Sequence, residues 1–340
     1  MNHFTSSRTP KSRKKWFFLV IFLAIFAFAA RDGFYFFALK EHSDDASSAV
    51  FEIEKGASLR EIVADLREDG FLATPEWAFL RYLKKEEMDT KIQSGFFHLP
   101  KNLSAPELAE RLLSASARQT KITLLPGWTN EDIDRALAEK NLIPRGQFLE
   151  CVEKCDFSEF PFFPTNPEIR EGFFWADTYF VSPSDFSADD FVKRLLQTFD
   201  EKTKSILNGK DRNGFDILRM ASIVEKEAGA DLEEKKMVAG ILWKRLDADW
   251  LLGADATTRY AAKNFAGSLT VAELNDKNPW NTRAVRGLPP GAIGNPSLDS
   301  IRAAAEPIES EYWYYLHGFD GQIHYSTNEE EHNAAKVKYL

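Results

Sequence analysis

The sequence predicts an α+β protein in which an apolar helix precedes a small αβ module and a larger mixed α/β domain. Three observations predict this fold class. An uncharged run occupies residues 16–30, a strand-turn-helix pattern occurs three times between residues 50 and 137, and helices alternate with short strands in the rest of the chain. Alternating apolar residues mark strands, and apolar residues three or four positions apart mark helices.

The length and the charge bound the class of protein. A chain of 340 residues with 44% hydrophobic side chains is long enough for about two domains with real cores. Of the 43 basic residues, five lie in residues 1–15, which contain no acidic one; the other 38 stand against 52 acidic residues, a net charge of −14. Such an acidic body repels nucleic acid, so the sequence excludes nucleic acid as a partner.

The N-terminus predicts a membrane anchor. Fifteen uncharged residues at 16–30 follow a basic cluster, and an apolar FYFFAL stretch follows after a short charged break. Crossing a bilayer takes about 20 apolar residues, so we expect a tilted transmembrane helix over 16–39, with a cytoplasmic tail at 1–15 and a linker at 40–49. The alternative is a cleaved signal peptide. In both cases the acidic body is exported.

Three segments share the strand-turn-helix pattern. Each predicted helix opens with a hydroxyl residue and has an acid three positions later, which indicates a capping box that satisfies free N–H groups. The pairs are Ser58 with Glu61, Ser104 with Glu107, and Thr129 with Asp132. The first two segments predict a small αβ module over residues 50–118, and the third leads into a domain over residues 119–340.

The two cysteines, Cys151 and Cys155, are four positions apart. On a helix this spacing is a poor geometry for a bridge, so we expect them to be unpaired apolar residues, with a strained disulfide as the alternative. No second Cys pair or Cys/His group supplies a metal-ligand set.

Polar residues stand among aromatic ones in the segment EGFFWADTYF at residues 171–180. Glu171, Asp177 and Thr178 must be hydrogen-bonded if they are buried. They also suit a carbohydrate cleft, in which apolar ring faces and hydroxyl groups both need partners. The alternative is that the aromatic residues of this segment are ordinary core residues.

A helix around residues 218–229 carries the candidate general acid. Its predicted buried face consists of Ile217, Met220, Ala221, Val224 and Ala228. Glu227 lies at the border of this face, where loss of water from the charged form raises the pKa of a carboxyl group towards the range that a general acid needs. Glu225 lies on a different side of the helix. The alternative is that the EKE segment is a solvated helix end.

The C-terminal third predicts three helices, a rigid loop and a hairpin. Asp231 caps the first helix, and the hairpin spans residues 311–327 with its turn at 319–321. Residues 278–296 contain four prolines and three glycines, a composition typical of a tightly turning binding loop.

Seven motifs in order carry a family resemblance: EGFFWADTY, ASIVEKE, ADATTRY, NPWNTR, GLPPGAIGNP, AAAEP and HYSTNEEEHN. Together they resemble the endolytic murein transglycosylase family (MltG or YceG-like proteins) over nearly the whole chain. GLPPG and ASIVEKE at this separation are a specific joint signal. The resemblance implies a membrane anchor, a LysM-like module over residues 50–118 and a catalytic domain over residues 119–340.

The resemblance also implies the reaction. A family member is a peptidoglycan lyase that cleaves the β-1,4 bond between N-acetylmuramic acid (MurNAc) and N-acetylglucosamine (GlcNAc) without a cofactor or metal. The second glutamate of EKE, Glu227, is then the catalytic acid. The muramoyl 6-hydroxyl closes on the anomeric carbon and leaves a 1,6-anhydro end, so one carboxyl group is enough, in contrast to the two of an ordinary glycosidase. Nascent glycan strands are the expected substrate.

Further residues match family landmarks around the expected cleft. Those expected to bind substrate or support the acid are Glu171, Asp177, Tyr179, Asp255, Trp280, Asn281 and Thr282. The chain departs from the family pattern at Gly253 and Ala256, where a Gln and a Pro are common, and at Trp280 and Arg283, where tyrosines are common. Trp280 keeps an aromatic face, and Arg283 is expected to change contacts with the acidic stem peptide.

The expected partners are peptidoglycan strands and, from the resemblance, cell-wall synthesis proteins. The expected location is the cytoplasmic (inner) membrane, single-pass, with the catalytic domain facing the periplasm or the outside. One alternative function is a non-catalytic peptidoglycan-binding scaffold. Another is a metallohydrolase, but the sequence has no HExxH or similar ligand spacing. The histidines considered for it are His98, His317, His324 and His332.

Overall fold

The structure is a computed structural model that describes residues 11–114, 118–183, 185–208 and 212–340. Side chains are not described for residues 11–15, 17–18, 24–25, 27–30 and 118. The chain forms two compact units, Met1–Thr120 with Ser182–Ser184, and Lys121–Val181 with Asp185–Leu340.

The first helix, α1, spans Lys11–Ala38 and contains most of the predicted anchor. Among the residues that the structure describes, no helix is both long enough and apolar enough to cross a membrane. The predicted tail falls largely on residues 1–10, which lie outside the described residues.

The C-terminal end of α1 belongs to the core of the first unit, although the sequence predicts it as membrane-embedded. Tyr35, Ala38 and Leu39 are buried there. Asp32 pairs with Arg81 at 3.3 Å, and the guanidinium of Arg81 also lies over the Tyr35 ring. The charged break in the apolar run explains why this end of α1 packs in the first unit. The carboxylate of Asp32 pairs there with Arg81, which belongs to the helix Glu76–Lys85.

Around this helix end, the first unit contains the two predicted strand-turn-helix segments. Strand β1 (Ser48–Ile53) pairs antiparallel with β2 (Gly95–Pro100), with Phe51 opposite Phe97, and β2 pairs with residues 118–119 of β3 (Arg118–Thr123). Both capping boxes form as predicted. One further helix, α3, was not predicted. The elements are β1 (Ser48–Ile53), α2 (Leu59–Glu68), α3 (Glu76–Lys85), β2 (Gly95–Pro100), α4 (Ala105–Leu113) and β3 (Arg118–Thr123).

The second unit is built mainly of helices around one core. The Thr129 capping box forms at the start of α5 as predicted. Its helices are α5 (Asn130–Glu139), α6 (Gln147–Lys154), α7 (Ala188–Leu207), α8 (Gly214–Glu227), α9 (Leu232–Asp247), α10 (Asp255–Ala262), α11 (Val271–Asn275), α12 (Leu298–Ala305) and α13 (Glu329–Tyr339). Its strands after β3 are β4 (Thr178–Val181), β5 (Tyr314–His317) and β6 (Ile323–Ser326).

Helix α8 lies at the centre of this unit and packs against α7, α9, α10 and α12. Four of the five predicted face residues are fully buried, and Ala228 is partly buried against the same core. The helix ends at Glu227, since Ala228 has extended dihedral angles (φ −108°, ψ 160°). The ending places the last side chain of α8 at the edge of the core.

The cysteine prediction was wrong, because Cys151 and Cys155 form a disulfide. Helix α6 ends at Lys154, and Cys155 has extended angles (φ −67°, ψ 155°), so the pair does not have the geometry of a continuous helix. Their Cα atoms are 4.9 Å apart, within the range that a disulfide spans.

The predicted C-terminal hairpin is confirmed. Strands β5 and β6 pair antiparallel with Tyr315 opposite Tyr325, and Gly321 in the turn has a positive φ of 74°. Only a residue without a Cβ adopts that angle at no steric cost. The hairpin presents Tyr315 towards the end of α8.

Candidate active site

The carboxyl group of Glu227 is held between two elements that are distant in sequence. The backbone N–H of Ala256 donates to Oε1 at 3.1 Å, and the hydroxyl of Tyr315 donates to Oε2 at 3.1 Å. The side chain is half-buried at the end of α8. The interpretation of EKE as a solvated helix end was therefore wrong.

The electrostatics of Glu227 favour the protonated form. Burial raises the pKa of this carboxyl group above its ordinary value, and nearby Asp255 raises it further. The two hydrogen bonds, together with nearby His317, oppose the shift without cancelling it. A carboxyl group with a raised pKa keeps its proton closer to neutral pH, as a general acid must.

The donor from α10 is a free N–H group of the first helical turn. Such groups have no partner within their own helix. Ala254 at the N-cap position provides no side-chain cap, so the N–H of Ala256 is available to Glu227. A proline at position 256 would lack this donor.

Tyr315 is the site residue that the sequence did not predict. It lies half-buried against Glu227, and the loss of water there raises the pKa of its hydroxyl well above the ordinary value, so it stays a neutral donor. Arg245 lies beside its ring at 5.9 Å and donates to the carbonyls of Leu252 and Trp313. The available signal was the strand alternation of the predicted hairpin, but that alternation does not reveal which tertiary partner Tyr315 meets.

Asn281 and Thr282 hold the loop after α11 in place. Both are completely or almost completely buried (0% and 1% exposed). The Asn281 amide donates to the carbonyls of Glu273, Leu274 and Asp276, and its oxygen accepts from Thr258. The Thr282 hydroxyl contacts that of Thr257 at 2.8 Å. The two buried side chains therefore hold the loop against α10, the helix whose N–H binds Glu227.

Asp255 and Trp280 lie nearer to the surface of the same region. Asp255 is exposed and pairs with Arg283 through Nη1 at 2.7 Å. Trp280 is half-buried, with its ring 6.3 Å from that of Tyr260. The structure therefore brings together Glu227 and the predicted residues of α10 and of the loop after α11.

Glu171 joins this region through Tyr260. Its carboxyl group is buried and accepts from the N–H of Asn130 at 2.8 Å and from the Tyr260 hydroxyl at 3.3 Å. Burial raises the pKa of Glu171 to about 8, although the Asn130 N–H and Lys263 oppose the shift. Because Tyr260 belongs to α10, Glu171 is linked to the helix that also binds Glu227.

Asp177 and Tyr179 have different surroundings. Asp177 is exposed and accepts from the N–H of Thr178. Tyr179 is buried, donates to the carbonyl of Trp175 at 2.8 Å and packs on Phe191. No contact among the described residues joins either side chain to Glu227, and their predicted role in binding substrate stays a prediction.

The histidines of the metallohydrolase alternative pair separately. His317 contacts Glu234 at 3.0 Å and His324 contacts Asp320 at 3.0 Å. Within the described part of the chain, the cluster of three potential metal ligands is Cys151, Cys155 and Asp189, and its two sulfurs are already bonded to each other.

Comparison with known proteins identifies a family and several relatives. The YceG-like family model matches residues 51–338. An endolytic murein transglycosylase of Bacillus subtilis is 28% identical over 313 residues, 87% of this chain and 86% of that protein. One of Streptococcus pneumoniae is 24% identical, and the match covers 95% of this chain but 65% of its own length.

A solved structure has the same fold. The chain is similar to a yceG-like protein from Listeria monocytogenes with a TM-score of 0.57 and 24% identity, over 85% of this chain and 99% of that one. The likeness concerns the fold alone.

Proposed function

This chain belongs to the YceG-like family, and we propose that it is a lytic transglycosylase that cleaves the MurNAc–GlcNAc β-1,4 bond of peptidoglycan and leaves a 1,6-anhydro end. The relatives from Bacillus subtilis and Streptococcus pneumoniae are named endolytic murein transglycosylases, which supports the reaction class. One observation carries the proposal: the half-buried carboxyl of Glu227, with a raised pKa and a donor on each oxygen.

The proposed reaction uses Glu227 twice. The neutral carboxyl gives its proton to the oxygen between MurNAc C1 and GlcNAc, and the C1–O bond breaks with its electrons going to the leaving oxygen. The resulting carboxylate takes the proton of the muramoyl 6-hydroxyl while that oxygen bonds to C1. The proton returns to Glu227, and no water is consumed.

Both steps fit the surroundings of this carboxyl group. Burial raises the pKa of Glu227 and so favours the protonated form that the first step needs. The N–H of Ala256 and the hydroxyl of Tyr315 stabilise the carboxylate that exists between the steps. A donor that strengthens its bond as charge develops lowers the barrier.

The test is digestion of purified sacculi by wild type and by Glu227→Gln, with products identified by mass spectrometry. We expect anhydro-ended muropeptides from wild type. In the variant the rate of their release should fall by roughly 10²- to 10⁴-fold, because an amide cannot supply the proton. Glu233→Gln is the matched control, since Glu233 is an exposed glutamate of the neighbouring helix. Anhydro products from Glu227→Gln at the wild-type rate would refute the role of this residue.

The same digestion separates the alternative functions. A non-catalytic scaffold would bind sacculi without releasing products from any variant. A metallohydrolase would give reducing ends and would lose activity with a chelator.

We also propose that the chain is tethered to the cytoplasmic membrane, with the second unit outside the cytoplasm. This proposal depends on the sequence: a basic cluster followed by fifteen uncharged residues at 16–30. Fractionation of cells with the full chain tests it, and N-terminal sequencing distinguishes a tether from a cleaved signal peptide. Recovery of the uncleaved chain in the fraction without membranes would contradict it.

Two finer parts of the proposal concern the first unit and the substrate. We propose that residues 50–118 act as a LysM-like module that binds glycan, and that nascent strands, near cell-wall synthesis proteins, are cut. Pulse-labelled peptidoglycan tests the second point. Preferential release of old label would contradict it.

A further inference from the structure

Arg283 lies in the loop after α11, close to the proposed proton donor Glu227. Its backbone N–H donates to the buried Asn281 oxygen at 3.1 Å, and Asn281 is itself fixed by three backbone carbonyls. The position of Arg283 is therefore set by a part of the loop that cannot shift without breaking several buried hydrogen bonds.

The guanidinium uses one nitrogen for its contacts within the protein. Nη1 donates to Asp255 at 2.7 Å and to the carbonyl of Gly253 at 3.3 Å. Among the described residues, Nε and Nη2 have no hydrogen-bond partner, and 41% of the side chain is exposed. The Nε and Nη2 edge therefore has no partner within the described residues, and such an edge of a guanidinium binds carboxylates bidentately.

This edge is close to the reacting carboxyl group. Asp255 precedes Ala256, whose N–H binds Glu227, so one ion pair and one residue separate the guanidinium from the acid. Arg283 and the half-buried Arg245 bring two positive charges to the surroundings of Asp255 and Glu227.

The proposed substrate carries a complementary anion. The peptide of MurNAc starts from its 3-lactyl group, on the same sugar ring whose C1 bond is broken, and it carries free carboxylates. We propose that Arg283 determines specificity by binding a carboxylate of this stem peptide through its Nε and Nη2 edge. The inference rests on the proposed function, since it concerns the same substrate and the same site.

The experiment compares two substrates. Glycan strands whose stem peptides carry free carboxylates, and the same strands after these carboxylates have been converted to amides, are digested, and kcat/KM for anhydro ends is measured for each. We expect the kcat/KM of wild type to be higher on the strands with free carboxylates, and that of Arg283→Gln to fall about fivefold on these strands and little on the amidated ones. Arg283→Lys keeps the charge without the fork and is expected to fall between them.

Arg286→Gln is the matched control. Arg286 lies in the same loop, is exposed and pairs with Asp249 at 2.5 Å, so its replacement removes the same charge and the same kind of ion pair. The substrate preference of this variant should equal that of wild type. Thermal unfolding of both variants checks that the fold is intact.

The outcomes separate the inference from the proposed function. If Arg283→Gln lowers kcat/KM equally on both substrates, or if wild type has no preference between them, Arg283 does not bind a carboxylate of the stem peptide. If wild type forms no anhydro ends from either substrate, the reaction itself is wrong and the inference falls with it.

Discussion

Two carboxyl groups at the end of α8 meet opposite surroundings although they are two residues apart. Burial raises the pKa of Glu225, but hydrogen bonds from Ser297 and Ser300 and the charge of Lys235 outweigh it, and the net pKa is lowered. Burial also raises the pKa of Glu227, and there the two neutral donors leave it raised. Both carboxyl groups lose water, and the number and charge of their hydrogen-bond donors decide whether the net pKa shift is downward or upward.

The Glu225 side is a closed network. Oε2 accepts from the N–H and hydroxyl of Ser297, from the hydroxyl of Ser300 and from Lys235 at 3.3 Å. These donors belong to α9 and α12, which both pack on α8. Glu225 therefore fixes the helix end, while Glu227, with fewer donors, has a raised pKa that favours its protonated form.

The largest expected effect on stability is at Glu225. Glu225→Gln leaves the buried Lys235 without its counter-charge and should reduce the free energy of unfolding by about 3 kcal/mol. Glu227→Gln should leave stability equal or higher at pH 8, because the wild-type group is unfavourable there when ionised. Denaturant unfolding of both variants measures the difference. Equal losses in the two would contradict the comparison.

Glu171 extends the comparison to a third buried carboxyl group, which has one N–H and one hydroxyl donor like Glu227. Its raised pKa means that the unfolded chain releases the proton at lower pH than the folded one, so stability falls as pH rises from about 4.5 to about 8. Between pH 5 and pH 7, the free energy of unfolding of the wild type should fall by on the order of 2 kcal/mol relative to that of Glu171→Gln. Parallel stability curves for the two proteins would show that Glu171 titrates normally.

Tyr315→Phe sharpens the comparison at the active carboxyl group itself. Loss of the hydroxyl removes a donor to the carboxylate, so the pKa of Glu227 should rise further and the alkaline limb of the activity profile should move up by about half a pH unit to one unit. The maximal rate should fall roughly threefold, since the carboxylate is less stabilised.

Tyr314→Phe is the control on the same strand, because the Tyr314 ring stacks on His332 and, among the described residues, Glu227 accepts its tyrosine hydrogen bond from Tyr315. A purely structural role of Tyr315 would lower the rate of its variant without moving the pH profile.

The sequence was sufficient wherever the signal is local. The three capping boxes, the hairpin and the buried face of α8 each follow from residues within one or two turns of each other, and all are confirmed. The motif resemblance to the YceG-like family is confirmed as well. The disulfide was missed because it depends on where α6 ends, and the boundary of a helix is its least predictable feature.

Periodicity alone therefore determined that α8 has a buried face and that Glu227 stands at its border. Only the tertiary structure decided what the carboxyl group meets there: the N–H of Ala256, 29 positions away, and the hydroxyl of Tyr315, 88 positions away. The physical reason is that a pKa depends on the donors, charges and water within a few ångströms, and the chain brings these together by folding.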